Sequence, residues 1–269
     1  MNLKQTSAVW EQLAKEDPLW AICTDPEKRG NKWEKNEFLQ AGYEEVEIIF
    51  NHLFTNHFLP FDRDKALDFG CGAGRLTRAL TKYFTEVVGV DVSKSMLEKA
   101  MELNADISEK ISFIHNTSSD LKVLKSNQFS FILSTIVLQH IPPQNSLLYI
   151  GEFVRLLKPG GILVFQIPVK RSRPLSLAKK IRSSLKIRKR LAKLGMGKDI
   201  HMEMFVVPED DIKLQLSYPF IEILDIPETN HTEPDFNGKL KLNYHPELPP
   251  EYISKMYIVR KNLSASTIL

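Results

Sequence analysis

Three carboxylates in this chain stand beside short apolar runs. Asp68 lies in "ALDFGCGAGRLTRAL", two residues ahead of Gly70, Gly72 and Gly74. Asp91 closes "EVVGVD", and Asp120 follows "ISFIHN" in "SSDL". Glycines at a strand-to-helix turn let the backbone bend sharply and let a ligand come where a Cβ would collide. The helix that follows offers free N–H groups. A dinucleotide loop, G-x-G-x-x-G, would need glycine at position 75, which is Arg75. A phosphate loop would end in G-K-[ST], and none is present. What remains is D-x-G-x-G-x-G, whose leading carboxylate suits an ammonium group better than a pyrophosphate. Asp91 at a strand tip can accept from both hydroxyls of a ribose. Asp120 after the third strand can accept from an adenine amino group. The three acids together describe a site for a cationic, adenosine-bearing ligand.

The elements that must place these residues can be read from periodicity. "KALDF", "EVVGVD", "ISFIHN", "FSFILSTIV" and "ILVFQIP" read as five short strands. "SKSMLEKAMELN" reads as a helix capped by Ser93, and "PQNSLLYIGEFVRLLK" as a helix ended by "PGG". "PEDDIKLQL" opens another helix, with Glu209, Asp210 and Asp211 at its positive end. "FIEILDI" and "MYIVRK" close the chain as two strands, separated by a long proline-bearing polar stretch at 229–252. Strands alternating with helices imply right-handed crossovers and a mainly parallel sheet. Residues 1–60 read instead as an N-terminal helical cap, with Val46, Ile49, Phe50 and Leu53 on one helical stripe. Residues 61–269 form the second unit.

In order and spacing these motifs resemble the class I S-adenosylmethionine-dependent methyltransferases. "LDFGCGAG" is similar to that family's first motif and "VVGVDVSKSML" to its second. "SSDL" resembles the adenine-contacting segment, "VLQHIPP" the segment after the fourth strand, and "LLKPGGILVF" the turn into the fifth. The resemblance covers about residues 65–168. It implies an α/β fold with a seven-stranded, mostly parallel Rossmann-like sheet, order 3-2-1-4-5-7-6, last strand antiparallel, helices on both faces. It also implies an enzyme with S-adenosyl-L-methionine as cofactor. By position, Asp68 and the Gly70, Gly72 and Gly74 backbone would hold the methionine part. Asp91 would take the ribose, with Val92 and Met96 near the adenine. Asp120 and the Leu121 backbone would read the adenine edge, and Ser134, Thr135 and Ile136 would line the sulfonium. Arg75 has two readings, a partner for the ligand carboxylate or for a neighbouring acid. The chain has Ser130 where the family often carries an acid.

The acceptor side is less legible. His140 follows the fourth strand, where a general base for a substrate hydroxyl would stand; the alternative is a turn residue that orders its loop. Trp20, Trp33, Phe38 and Tyr43 are candidates for a lid or for plain packing. From Val169 to Lys198 the chain carries 12 of its 36 Lys and Arg and none of its 33 acids. This basic stretch reads as a helical insertion at 169–205, either a solvated face or a lid for an acidic substrate or an anionic membrane surface through 170–193. The absence of Asn/Asp-Pro-Pro-aromatic after the fourth strand argues against methylation of a nucleic-acid base. The expected reaction is methyl transfer to oxygen of a small-molecule or lipid-like acceptor. Two alternatives are an RNA or protein methyltransferase using the insertion and a cofactor-binding module without catalysis. Cys23 and Cys71 have no metal or disulfide spacing. That spacing leads to an expectation of no metal, and the lack of a signal-like apolar core at the start leads to an expected cytoplasmic location.

Overall fold

A computed structural model of the chain describes residues 2–60, 62–171, 202–229 and 252–263. Three helices come first: α1 (Leu3–Glu16), α2 (Pro18–Ile22) and α3 (Lys35–Thr55). Strand and helix then alternate through β1 (Lys65–Phe69), α4 (Arg75–Leu80), β2 (Glu86–Asp91), α5 (Lys94–Leu103), β3 (Ile111–His115), β4 (Phe129–Ser134), α6 (Pro143–Leu156) and β5 (Leu157–Arg171). A short helix α7 (Glu209–Gln215) and strands β6 (Ile221–Asp225) and β7 (Tyr252–Lys261) finish the sheet. Its order is β3-β2-β1-β4-β5-β7-β6, as the resemblance implied. The first five strands pair in parallel, and β7 runs antiparallel to both β5 and β6.

The local chemistry that the residues promised is realised. Ser93 Oγ accepts the Met96 N–H and so caps α5. Glu209, Asp210 and Asp211 occupy the first turn of α7. Two expectations need correction. The fourth strand ends at Ser134 rather than running to Val137, because the chain turns into the left-handed region at Ile136 (φ 61°) and then forms a 3-10 turn at Leu138–His140. The fifth strand is longer than expected, starting at Leu157 directly after α6. The basic stretch from 172 to 201 and the loop from 230 to 251 lie outside the described residues. Among the described residues no helix is long and apolar enough to cross a membrane.

Alternation along the strands divides the core into two layers. Leu67 and Phe69 face α6 through Tyr149, Ile150 and Phe153, with Phe165 and Tyr257 stacked at 5.0 Å beside them. Ala66 and Phe131 face α3 and α4, through Val46, Ile49, Phe50, Leu53, Leu76 and Leu80. Phe50 is the centre of that second layer. It is wholly buried, stacks on Tyr83 at 3.8 Å, and meets Phe84 and Phe131 at 6.0 and 5.2 Å. The stripe read from sequence is therefore the seam that seats α3 on the sheet, away from the carboxyl ends of the strands. Replacing Phe50 by Ala is expected to cost about 3–5 kcal/mol through the cavity it leaves. Thermal denaturation checks the cost, and titration with S-adenosylhomocysteine should find cofactor affinity in the folded variant within about twofold of wild type, or about 0.4 kcal/mol.

Candidate active site

At the carboxyl ends of β1, β2 and β4 the chain encloses a cavity of about 310 Å³. This is where open α/β sheets bind ligands, at the point where strand order reverses between β1 and β4. Asp68, Gly70, Gly72, Arg75, Asp91, Val92, Met96, Thr135, Ile136 and His140 all line it. Gly74, Ser134, Asp120 and Leu121 do not. Gly74 is a packing position, where a Cβ would come within 2.8 Å of Asn104 Nδ2 and 3.0 Å of Phe113. Ser134 is fully buried in β4.

The two acids on the cavity wall are held differently. Asp91 Oδ2 accepts the Gly72 N–H at 2.9 Å, and its Oδ1 accepts the Ser93 N–H at 2.8 Å. Each oxygen keeps lone-pair capacity for a further donor. Burial raises the Asp91 carboxyl above its ordinary range. Asp68 Oδ2 accepts the Thr77 hydroxyl at 2.6 Å. Burial pushes the Asp68 carboxyl up to about 7, against the pull of Thr77 and Arg75. Of the two readings of Arg75, the structure shows the neighbouring acid: Nη2 donates to Glu45 Oε2 at 2.7 Å, with both side chains buried. Glu45 Oε1 also accepts the Thr135 hydroxyl at 2.9 Å.

The adenine-side candidates lie off the cavity. The Asp120 carboxylate is drawn to Lys122 at 3.0 Å, and that ammonium holds it below the usual carboxylate range. The Leu121 N–H is spent on Glu152 Oε2 at 2.8 Å, and the Leu121 side chain is in the core. The polar residue that reaches the cavity from the tip of β3 is Asn116. Its Nδ2 donates to the Ser118 and Asp120 carbonyls, at 3.2 and 2.9 Å, which spends both amide hydrogens and leaves Oδ1 as the acceptor. Its signal was present in the sequence, since it is the first residue after the third strand, as Asp91 is the last of the second.

The other wall belongs to the N-terminal helices and the segment after the basic stretch. Leu3, Thr6 and Trp10 of α1 line it, with Ile22, Ile141, Tyr149, Met202 and Met204. Trp20, Trp33, Phe38 and Tyr43 do not line it. Trp20 and Trp33 donate to the Asp25 and Cys23 carbonyls, Phe38 is fully buried against Trp33, and Tyr43 packs in the α3–α4 layer. His140 sits edge-on to Trp10 at 5.2 Å. Its Nδ1 lies 3.0 Å from the Glu203 carbonyl, so Nδ1 carries the proton, and Nε2 lies 3.1 Å from Gln139 Nε2. Burial lowers the His140 pKa to about 4, so the ring is neutral near pH 7.

A Cβ on Gly70 would lie 2.3 Å from Val137, and one on Gly72 would lie 2.6 Å from Ile22, so both loops approach only because these residues are glycine. With Arg75 neutralised by Glu45, the wall carries two carboxylates and acceptors at successive strand tips. That donor set fits a cationic nucleoside such as S-adenosylmethionine.

This fold is that of the class I methyltransferases. Residues 67–165 match the family model described as a methyltransferase domain. The ubiquinone biosynthesis O-methyltransferase of Maricaulis maris (strain MCS10) is 23% identical over 177 residues, spanning 66% of this chain and 68% of that protein. The demethylmenaquinone methyltransferase of Staphylococcus aureus (strain JH9) is 36% identical over 103 residues, but over only 37% of this chain and 41% of that one. A solved S-adenosylmethionine-dependent methyltransferase from Leishmania major shares the fold, with a TM-score of 0.59 and 14% identity, over 96% of this chain and 82% of that chain. Residues 67–165 thus carry a methyltransferase domain, the chain has the fold of the S-adenosylmethionine-dependent methyltransferases, and the cavity's residues fit S-adenosylmethionine as cofactor.

Two outcomes test this geometry. Asp91→Ala removes the acceptor at the tip of β2 and is expected to weaken S-adenosylhomocysteine binding by about 100-fold, the scale of two charge-assisted hydrogen bonds. Calorimetric titration of the folded variant checks it. The second concerns the α1 wall. Glu11 accepts from Ser93 Oγ (2.8 Å) and from the Ser95 N–H (3.2 Å). Burial alone would raise its pKa from 4.5, but the bonds from Ser95 and Ser93 outweigh it and hold it at about 2. Its contribution is therefore complete above about pH 4.5 and is lost as pH falls through about 2. Glu11→Ala should lower the melting temperature at neutral pH, and the difference from wild type should vanish as pH approaches 2.

Proposed function

We propose that the enzyme methylates an oxygen of an apolar small molecule, and that the acceptor lies between α1 and residues 202–204. The observation that carries this reading is the character of that wall. Leu3, Trp10, Ile141, Met202 and Met204 offer apolar and polarisable surface, and the titratable side chains beside them, His140 and Tyr149, are both neutral near pH 7. Aromatic and thioether side chains suit a flat ring. Two relatives are named for ubiquinone biosynthesis and for demethylmenaquinone, so an aromatic ring of that chemical class is the first acceptor to try.

Bound S-adenosylmethionine supplies an activated methyl group on a sulfonium. The chain's own residues supply position and dryness, which are the larger part of what such a transfer needs. Asp91 takes the ribose hydroxyls with the oxygens that Gly72 and Ser93 already orient. Asn116 Oδ1 takes the adenine amino group, in the place expected of Asp120. Asp68 faces the ammonium group, and Val92 and Met96 flank the base. Thr135 and Ile136 border the reacting centre, and Trp10 closes the acceptor side against water.

His140 has two parts in this reading. Its Nδ1 bond to the Glu203 carbonyl, with the Phe205 N–H donating to the Gln139 carbonyl at 2.7 Å, ties the wall segment to the loop after β4. Its Nε2 takes the acceptor's proton once the acceptor displaces Gln139. Because the ring is neutral above about pH 4, kcat/KM should show no His140 limb between pH 5 and 8. His140→Ala should lower kcat more than it raises the KM for the acceptor; a change in KM alone leaves only the tying role. The acceptor class is tested by radiolabelled methyl transfer into a cell extract fractionated into small molecules, lipids, RNA and protein. Label in the small-molecule or lipid fraction supports the reading. Label in RNA or protein favours a role for the basic stretch, and cofactor binding without transfer favours a binding module.

A further inference from the structure

At the reaction centre one residue adopts a backbone conformation that its side chain resists. Ile136 has φ 61°, in the left-handed region, and isoleucine is β-branched. Such residues pay for this conformation in steric strain and keep it only where their surroundings impose it. The imposing contact is visible. Gln166 of β5 is 3% exposed, and its Oε1 accepts the Ile136 N–H at 3.0 Å. A polar side chain buried in the middle of a sheet is costly unless it is bonded, so its presence among Phe165, Ile167 and Val164 needs a reason.

We infer that Gln166 is a positioning residue that holds the Ile136 kink and thereby sets the cofactor cradle between β1 and β4. Two consequences of the kink reach the site. The first is steric. The residue after the kink, Val137, lies so close to Gly70 that a Cβ there would be 2.3 Å from its Cγ2 and 2.5 Å from its Cγ1. The kink thus seats the β4 loop on the first glycine of the β1 loop. The second is polar. The peptide between Thr135 and Ile136 is trans, so its C=O points opposite to its N–H. Its N–H is turned to β5, where Ser134 pairs with Phe165. Its carbonyl therefore points away from Gln166, in a stretch where Thr135 and Ile136 both line the cavity. The inference rests on the cavity's being the S-adenosylmethionine site.

The test uses the full chain. Gln166→Met removes the acceptor at nearly constant volume and should raise the Kd for S-adenosylhomocysteine by about tenfold or more, or about 1.4 kcal/mol. Glycine enters the left-handed region without strain, so Ile136→Gly makes the clamp unnecessary. The double variant Gln166→Met with Ile136→Gly should therefore bind within about threefold of Ile136→Gly alone, or about 0.65 kcal/mol. A residue that merely fills space would give no such recovery. Amide exchange supplies a second readout. The Ile136 N–H should be protected in the wild type and should exchange faster in Gln166→Met. Wild-type affinity in Gln166→Met, no recovery in the double variant, or an unprotected Ile136 amide in the wild type would each overturn the inference. If the wild type failed to bind S-adenosylhomocysteine, the cofactor site would fall, while the exchange of Ile136 would still decide the clamp.

Discussion

Glu45 of α3 accepts Arg75 at 2.7 Å and Thr135 at 2.9 Å, so one buried carboxylate joins three segments: a helix of the N-terminal region, the helix after the glycine loop, and the tip of β4. A buried ion pair of this kind adds little net stability over apolar packing, whereas stranding one partner costs about 3–5 kcal/mol. Its value lies in registration. It permits one placement of α3 over α4, and the backbones then come so close that a Cβ on Gly42 would be 2.5 Å from the Arg75 carbonyl. It also sets the sign of the site. Arg75 faces the cavity but is neutralised from behind, so the field is left to Asp68 and Asp91. A cavity with those acids and an unpaired arginine would suit an anion as well as a cation. With Glu45 in place it suits a cation.

The same economy appears at Ser93. Its N–H orients Asp91, its hydroxyl caps α5 by accepting from Met96, and that hydroxyl also donates to Glu11 of α1. Asp91 and helix α1 are thus fixed to one residue. Opposite α1, His140 and Gln139 bind the backbone of Glu203 and Phe205, which brings Met202 and Met204 to the cavity. The α1 and 202–204 walls of the cavity are held by a few polar bonds on top of apolar contact, while the opposite side is built from strand tips. The strand-tip side and the α1 side of the cavity are thus held by separate sets of contacts.

Much of this was legible in the sequence because the features concerned are local. The strand boundaries at Lys65–Phe69 and Glu86–Asp91, the Ser93 cap and the stripe from Val46 to Leu53 follow from periodicity and capping chemistry within a few residues. The strand order followed from the resemblance rather than from periodicity. Asp68, Gly70, Gly72, Asp91, Val92 and Met96 reach the cavity for the same local reason, since they sit at the ends of strands and at the start of the helices that follow. Trp10, Met202 and Met204 could not be picked out, because their place depends on how α1 and a segment more than 60 residues beyond β4 are tied back. Nothing in their own neighbourhoods marks them.

The placement of Asp120 and the end of β4 at Ser134 differ from expectation for one reason. Charge favours Asp120, but a carboxylate five residues past a strand end can turn away, and here Lys122 takes it outward. Asn116 has no charge to advertise, yet β3 delivers it to the cavity because it follows His115 directly. At the end of β4 an apolar run, "STIV", looked like more strand, since the residues that oppose a strand there are distant. Gln166 on β5 and Gly70 on β1 bend the chain at Ile136 against its own preference. Side-chain type reports local preference, whereas a site is assembled from the positions where neighbouring strands stop. Where the two disagree, at the tips of β3 and β4, position decides which atoms face the ligand.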